Sequence, residues 1–93
     1  MPIQTVEILS RRGQSVDRLL DEIRQLIKTM ELTHKVKITP EYTMSTDLTR
    51  MDKYSLNPSQ LPAVIINGQV ECTGSKSDRK ILKIRLEAIH RMG

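Results

Sequence analysis

With 93 residues the chain has room for one small domain, residues 1–93, and no more. Fifteen Lys and Arg against eleven Asp and Glu give a net charge of +4, enough for weak attraction to acidic partners and too little to mark nucleic acid as a target. Phe and Trp are absent, and the lone Cys72 excludes an internal disulfide and any C-x-x-C metal or redox pair. The core must therefore be built from Ile, Leu, Val and Met. Met1-Pro2 leads straight into strand-like sequence with no leader or membrane span, so a cytoplasmic protein is the expectation.

Ile3 to Leu9 reads as a strand, with Val6 and Ile8 on one face and Ile3, Thr5, Glu7 and Leu9 on the other. Ser10-Arg11-Arg12-Gly13-Gln14 is a polar loop whose glycine permits a tight turn. Ser15 is a good N-cap for a helix to about Met30. Its apolar positions, Val16, Leu19, Leu20, Ile23, Leu26, Ile27 and Met30, fall at spacings of three and four. Glu31 to His34 reads as a connection, and Lys35 to Thr39 alternates as a second strand. Pro40 either ends that strand or forces a bulge or edge on the way to Tyr42. Ser45 or Thr46 caps a shorter helix through Asp47, Leu48, Met51 and Tyr54, which stops before Asn57-Pro58.

Leu61 to Cys72 is the organising stretch. Val64, Ile65 and Ile66 are continuously apolar and β-branched, as in a strand covered on both faces. Asn67-Gly68 is a strong hairpin signal, because a type I′ turn needs positive φ at both central residues. Gln69, Val70, Glu71 and Cys72 alternate, which suits a strand with one wetter face. Gly74-Ser75-Lys76 is a loop, Ser77 an N-cap, and Asp78 to about Arg91 the last helix. Ile81, Leu82, Ile84, Leu86, Ala88, Ile89 and Met92 give that helix a wide apolar stripe. The order βαβαββα predicts an α/β domain with a four-stranded mixed sheet and helices on both faces.

The run Pro62-Ala63-Val64-Ile65-Ile66-Asn67-Gly68 resembles the phrase with which small thioredoxin- and glutaredoxin-like proteins enter a strand after their active-site proline. Thr5 to Ser10, the loop after it and the first helix extend the resemblance over nearly the whole chain. It implies a thioredoxin-like fold, a cis bond at Leu61-Pro62 facing the site, and a dithiol position at the start of the first helix. That position falls on Gly13 and Val16, or on Arg12 and Ser15, and neither pair holds a cysteine. A narrower likeness joins Gln14-Ser15-Val16-Asp17-Arg18-Leu19 and Ser77-Asp78-Arg79-Lys80-Ile81-Leu82 to the KaiB family of circadian clock proteins. That family has a thioredoxin-like state without redox cysteines and acts by binding partners.

Three sites follow. In the redoxin-like family the backbone before the cis proline pairs with an extended peptide or thiol ligand, which marks Leu61 and Pro62. The plainer role of Pro62 is to shape the strand entry. Arg11, Arg12, Gly13, Gln14 and Ser15 precede a helix N-terminus, where free N–H groups favour anions. The plainer reading is a solvated loop. Cys72 is a candidate thiol for a mixed disulfide, but no helix N-terminus activates it, and an inert core residue is the plainer reading. Neither His34 nor His90 has a Cys, Asp or Glu at ligand spacing, so no metal is expected. Arg79, Lys80, Lys83, Arg85, His90 and Arg91 make the last helix basic, as a solvated face often is. With only Tyr42 and Tyr54 as aromatics, base stacking on the sheet has no support, and nucleic acid is not the expected partner. The expectation is a redox-inactive binding or adaptor module for a protein segment or small anion, without cofactor. The alternative is a thiol-transfer protein using Cys72.

Overall fold

In the hairpin, Asn67 and Gly68 hold φ of 53° and 83°, the two positive values that a type I′ turn demands. They join β3 (Ala63–Ile66) to β4 (Gln69–Thr73). The computed structural model describes residues 3–74 and 79–92. Its other described elements are β1 (Thr5–Leu9), α1 (Asp17–His34), β2 (Glu41–Ser45), α2 (Leu48–Lys53), a 3-10 turn at Pro58–Gln60, and α3 (Arg79–Met92). The sheet is four-stranded and mixed, in the order β2-β1-β3-β4. β1 runs parallel to β2 and antiparallel to β3, and β3 is antiparallel to β4. The Leu61–Pro62 bond is cis. Ser75, Lys76, Ser77 and Asp78, and with them the expected last loop and Ser77 cap, lie outside the described residues.

Helices cover both faces of the sheet. Val6, Ile8, Val64, Ile66 and Cys72 pack against Leu20, Ile23, Leu26, Ile27 and Met30 of α1 and Leu82 and Leu86 of α3. Leu9, Ala63 and Ile65 face the other way, toward Met51 of α2 and Leu61. β3 is buried at all four positions, as its unbroken apolar run implies.

Several boundaries differ from those read in the sequence, each for a local reason. Val16, not Ser15, occupies the N-cap of α1, with no side-chain cap; Ser15 stays exposed while Val16 joins the core. Burial of an apolar side chain outweighs a cap hydrogen bond here. The helix also continues from Glu31 to His34, where the sequence predicts a connection. It stops at Lys35, whose left-handed φ of 53° turns its N–H onto the Glu31 carbonyl. The Glu31 carboxylate then accepts the Ile38 N–H at 3.0 Å. These contacts draw Lys35 to Thr39 out of the sheet, so β2 begins only after Pro40. Pro40 supplies no N–H and stands just before the strand, and Glu41 opens the ladder by donating to the Gln4 carbonyl at 2.9 Å.

Ile3 lies outside β1 and packs with Val6 and Ile8, not with the opposite set. Asp47 caps α2, where Ser45 or Thr46 was expected. Its carboxylate accepts from Thr49 N–H at 2.9 Å, while Ser45 Oγ accepts from Asp47 N–H. In β4 the simple alternation fails. A bulge between the pairs Val64–Cys72 and Ile65–Val70 leaves Glu71 as the extra residue. Cys72 therefore belongs to the α1–α3 core and Val70 to the α2 side. On α3 the buried stripe is narrower than the sequence suggests. Leu82 and Leu86 are buried, but Ile81 is 37% and Ile84 66% exposed.

Candidate functional site

The loop after β1, the turn after β2 and the Pro58–Leu61 segment converge at one end of the sheet. Ser10, Arg11, Arg12, Thr46, Met51, Pro58 and Leu61 line an open cleft of about 320 Å³ there. The topology puts it at the C-terminal ends of the parallel strands β1 and β2, the edge where open α/β sheets bind ligands. Its floor is apolar, from the buried side chains of Met51 and Leu61. Its rim is cationic. Arg11 and Arg12 are exposed, and neither guanidinium is held by another described residue.

Gln14 shapes this loop. Its Oε1 accepts the Arg11 N–H at 3.0 Å, and its own N–H donates to the Arg11 carbonyl at 2.9 Å. Gly13 sits in that turn at φ +83°, a value that would strain any side chain. Gln14 Nε2 then reaches across to donate to the Leu61 carbonyl at 3.4 Å. The Leu61 N–H donates to the Pro58 carbonyl at 3.3 Å. The Leu61 backbone, which the resemblance implies pairs with an incoming segment, is occupied at both groups. Both bonds are longer than the usual 2.9–3.0 Å of an N–H···O bond, so an incoming segment competes against weak partners. The Pro62 carbonyl is taken by Gly74 N–H at 2.9 Å. Of the expected site residues, Arg11, Arg12 and Leu61 line the cleft, and Gly13, Gln14, Ser15 and Pro62 do not.

Cys72 is buried, 4% exposed, and away from this cleft. Burial pushes its thiol up from the ordinary value, and nearby Arg85 only partly offsets that. This is the opposite of the activation a nucleophilic thiol needs.

Two further arrangements join residues that lie far apart in the sequence. Glu7, buried on β1, receives both ends of the Arg50 guanidinium, Nε to Oε2 and Nη2 to Oε1 at 2.6 Å, and so ties α2 to the sheet. The pairing raises the Arg50 pKa, through the Glu7 hydrogen bond first and its charge second. An acidic residue inside an apolar strand was the available signal: buried carboxylates require a partner. The second arrangement joins α1 to α3. His34 Nε2 lies 2.8 Å from Glu87 Oε2, and the His34 and His90 rings lie 4.4 Å apart, tilted by 37°. Glu87 is thus beside His34 in space, which sequence spacing did not suggest. Among the described residues, however, no group of three or more His, Cys, Asp or Glu is arranged to hold a metal ion. No described helix is long and apolar enough to cross a membrane.

No family model, curated protein or solved structure matches the chain.

Proposed function

We propose that the chain is a thioredoxin-like binding or adaptor module without dithiol chemistry, which seats an extended acidic segment of a protein partner in the cleft beside Arg11, Arg12 and Leu61. One observation carries the reading. The cleft at the ends of β1 and β2 combines an apolar floor, two guanidinium groups that no other described residue holds and the residue before a cis proline, and no cysteine lines it. Arginine forks match carboxylates, so an acidic side chain is the natural contact at the rim. The segment's main chain takes over the Leu61 carbonyl from Gln14, an exchange of one hydrogen bond for another. The burial of Cys72 speaks against the thiol-transfer alternative.

The test is a backbone-amide NMR titration with an unstructured peptide of alternating glutamate and serine. Shift changes are expected at Ser10 to Gln14 and at Leu61. Arg11→Glu with Arg12→Glu abolishes them at a stability cost under about 0.5 kcal/mol, as for exposed loop positions. Shift changes confined to other elements would count against the cleft. In an insulin-reduction assay neither the parent protein nor Cys72→Ser is expected to turn over. Turnover lost in Cys72→Ser would replace the binding reading with the thiol one.

A further inference from the structure

The net charge of +4 has one location. α3 holds Arg79, Lys80, Lys83, Arg85 and Arg91 against the single carboxylate of Glu87, and removing these from the chain's fifteen cations and eleven anions leaves ten of each. Glu87 itself is occupied by His34 at 2.8 Å. The chain's excess positive charge thus lies on α3, where Arg79 turns inward to donate to Gln25 of α1 at 3.2 Å and Arg85 and Arg91 lie toward the outward face.

That face is not simply solvated. Ile81, Ile84 and Ala88 are exposed, Ile84 at 66%. Their spacing of three and four puts them on one stripe, separate from the core stripe of Leu82, Leu86 and Ile89. At about 100° per residue, Arg85 falls on one side of the outward stripe and Arg91 on the other. Toward the sheet, Ile81 and Arg85 face Val70, Glu71, Cys72 and Thr73 of β4 across a groove of about 290 Å³. The bulge at Glu71 bends the edge strand at this groove.

We propose that α3 is a second docking surface, which takes an acidic amphipathic helix of a protein partner. The partner's apolar face covers Ile81, Ile84 and Ala88, with one side chain entering the groove beside Val70. Its carboxylates meet Arg85 and Arg91, which steer the encounter and set the register. Charge complementarity selects this occupant. A second copy of the chain would bring the same cations against each other. A nucleic acid strand would find only aliphatic side chains between the cations, with no exposed ring on which to stack. Two isoleucines and an alanine offer too little apolar area to hold the helix in a lipid interface.

The experiment is fluorescence anisotropy with a labelled helical peptide carrying leucine on one face and glutamate on the other. Salt-sensitive binding is expected, weakened about tenfold or more by Arg85→Glu with Arg91→Glu. Arg85→Lys with Arg91→Lys retains most of it. Ile84→Ser, at an exposed position, weakens it several-fold without disturbing the circular dichroism. Arg11→Glu with Arg12→Glu leaves it unchanged, which separates this surface from the cleft. The proposal is overturned by absence of binding, by indifference to Ile84→Ser, or by equal affinity for a single-stranded oligothymidylate.

Discussion

Asn67 does two jobs with one side chain. Its left-handed φ of 53° forms the hairpin, and its Oδ1 accepts from both Gln4 N–H at 2.8 Å and Thr5 N–H at 3.1 Å. Its own N–H donates to the Thr5 carbonyl at 3.0 Å. The turn was legible in the sequence because Asn-Gly is a local signal. The clamp on β1 was not, since it joins residues more than sixty positions apart. Asn67→Gly keeps the turn and deletes the clamp, so it should cost about 1–2 kcal/mol, two modest hydrogen bonds and some chain entropy. Asn67→Asp keeps both acceptor bonds and tolerates the left-handed region, and should restore most of the loss. Urea midpoints of the two variants measure this. An unperturbed glycine variant would show that the clamp contributes nothing.

At the scale of elements, apolar pattern was a good guide where burial decides and a poor one where backbone groups are captured locally. The α1 face from Leu20 to Met30 and the buried β3 follow the pattern. Lys35 to Thr39 alternates like a strand yet lies outside the sheet, because Glu31 captures the Lys35, Val36 and Ile38 N–H groups. Nor can alternation reveal a bulge. The one at Glu71 turns Cys72 into the larger core, and that has a measurable result. Burial, first among the causes, raises the Cys72 pKa in the folded state. Below the ordinary thiol value of about 8.5 both folded and unfolded chains keep the proton, and this contribution to stability is present in full. As pH rises from there through the folded value, the unfolded chain ionises first, and the contribution is lost. Stability of the parent should therefore fall as pH rises above about 8.5, before the ordinary tyrosine value of about 10 at which Tyr42, also raised by burial, begins to contribute. Cys72→Ala should be less stable overall but flatter across that window in urea denaturation. Parallel pH profiles would show that the thiol is not desolvated in solution.

Across the whole molecule, the two sides of the sheet are unequal, and the cleft lies on the thinner one. Among the described residues, fifteen buried ones form the cluster under α1 and α3, against five in the cluster under α2. The sequence disclosed the large side through two long amphipathic patterns. The small side depends on one six-residue helix, the Glu7–Arg50 pair and the turn at Pro58–Gln60, none of which has a periodic signature. Too short to be stable alone, α2 depends on these tertiary contacts. Met51, a buried residue of α2 in the small cluster, also lines the cleft. Local opening should therefore be cheapest there, since opening free energy scales with the buried contacts broken. Amides of Met51 to Tyr54 are expected to exchange with solvent orders of magnitude faster than those of Glu7, Ile8 and Val64 to Ile66. A peptide seated against Arg11 and Arg12 contacts Met51 and stabilises only the closed form of α2. It should slow the α2 amides and leave those of β1 and β3 nearly unchanged, whereas a peptide on α3 should do neither. Hydrogen exchange read by mass spectrometry, with and without each peptide, distinguishes the cases. Equal protection of α2 and β3 in the free protein would mean that the domain opens only as a unit and that the cleft is as rigid as the core.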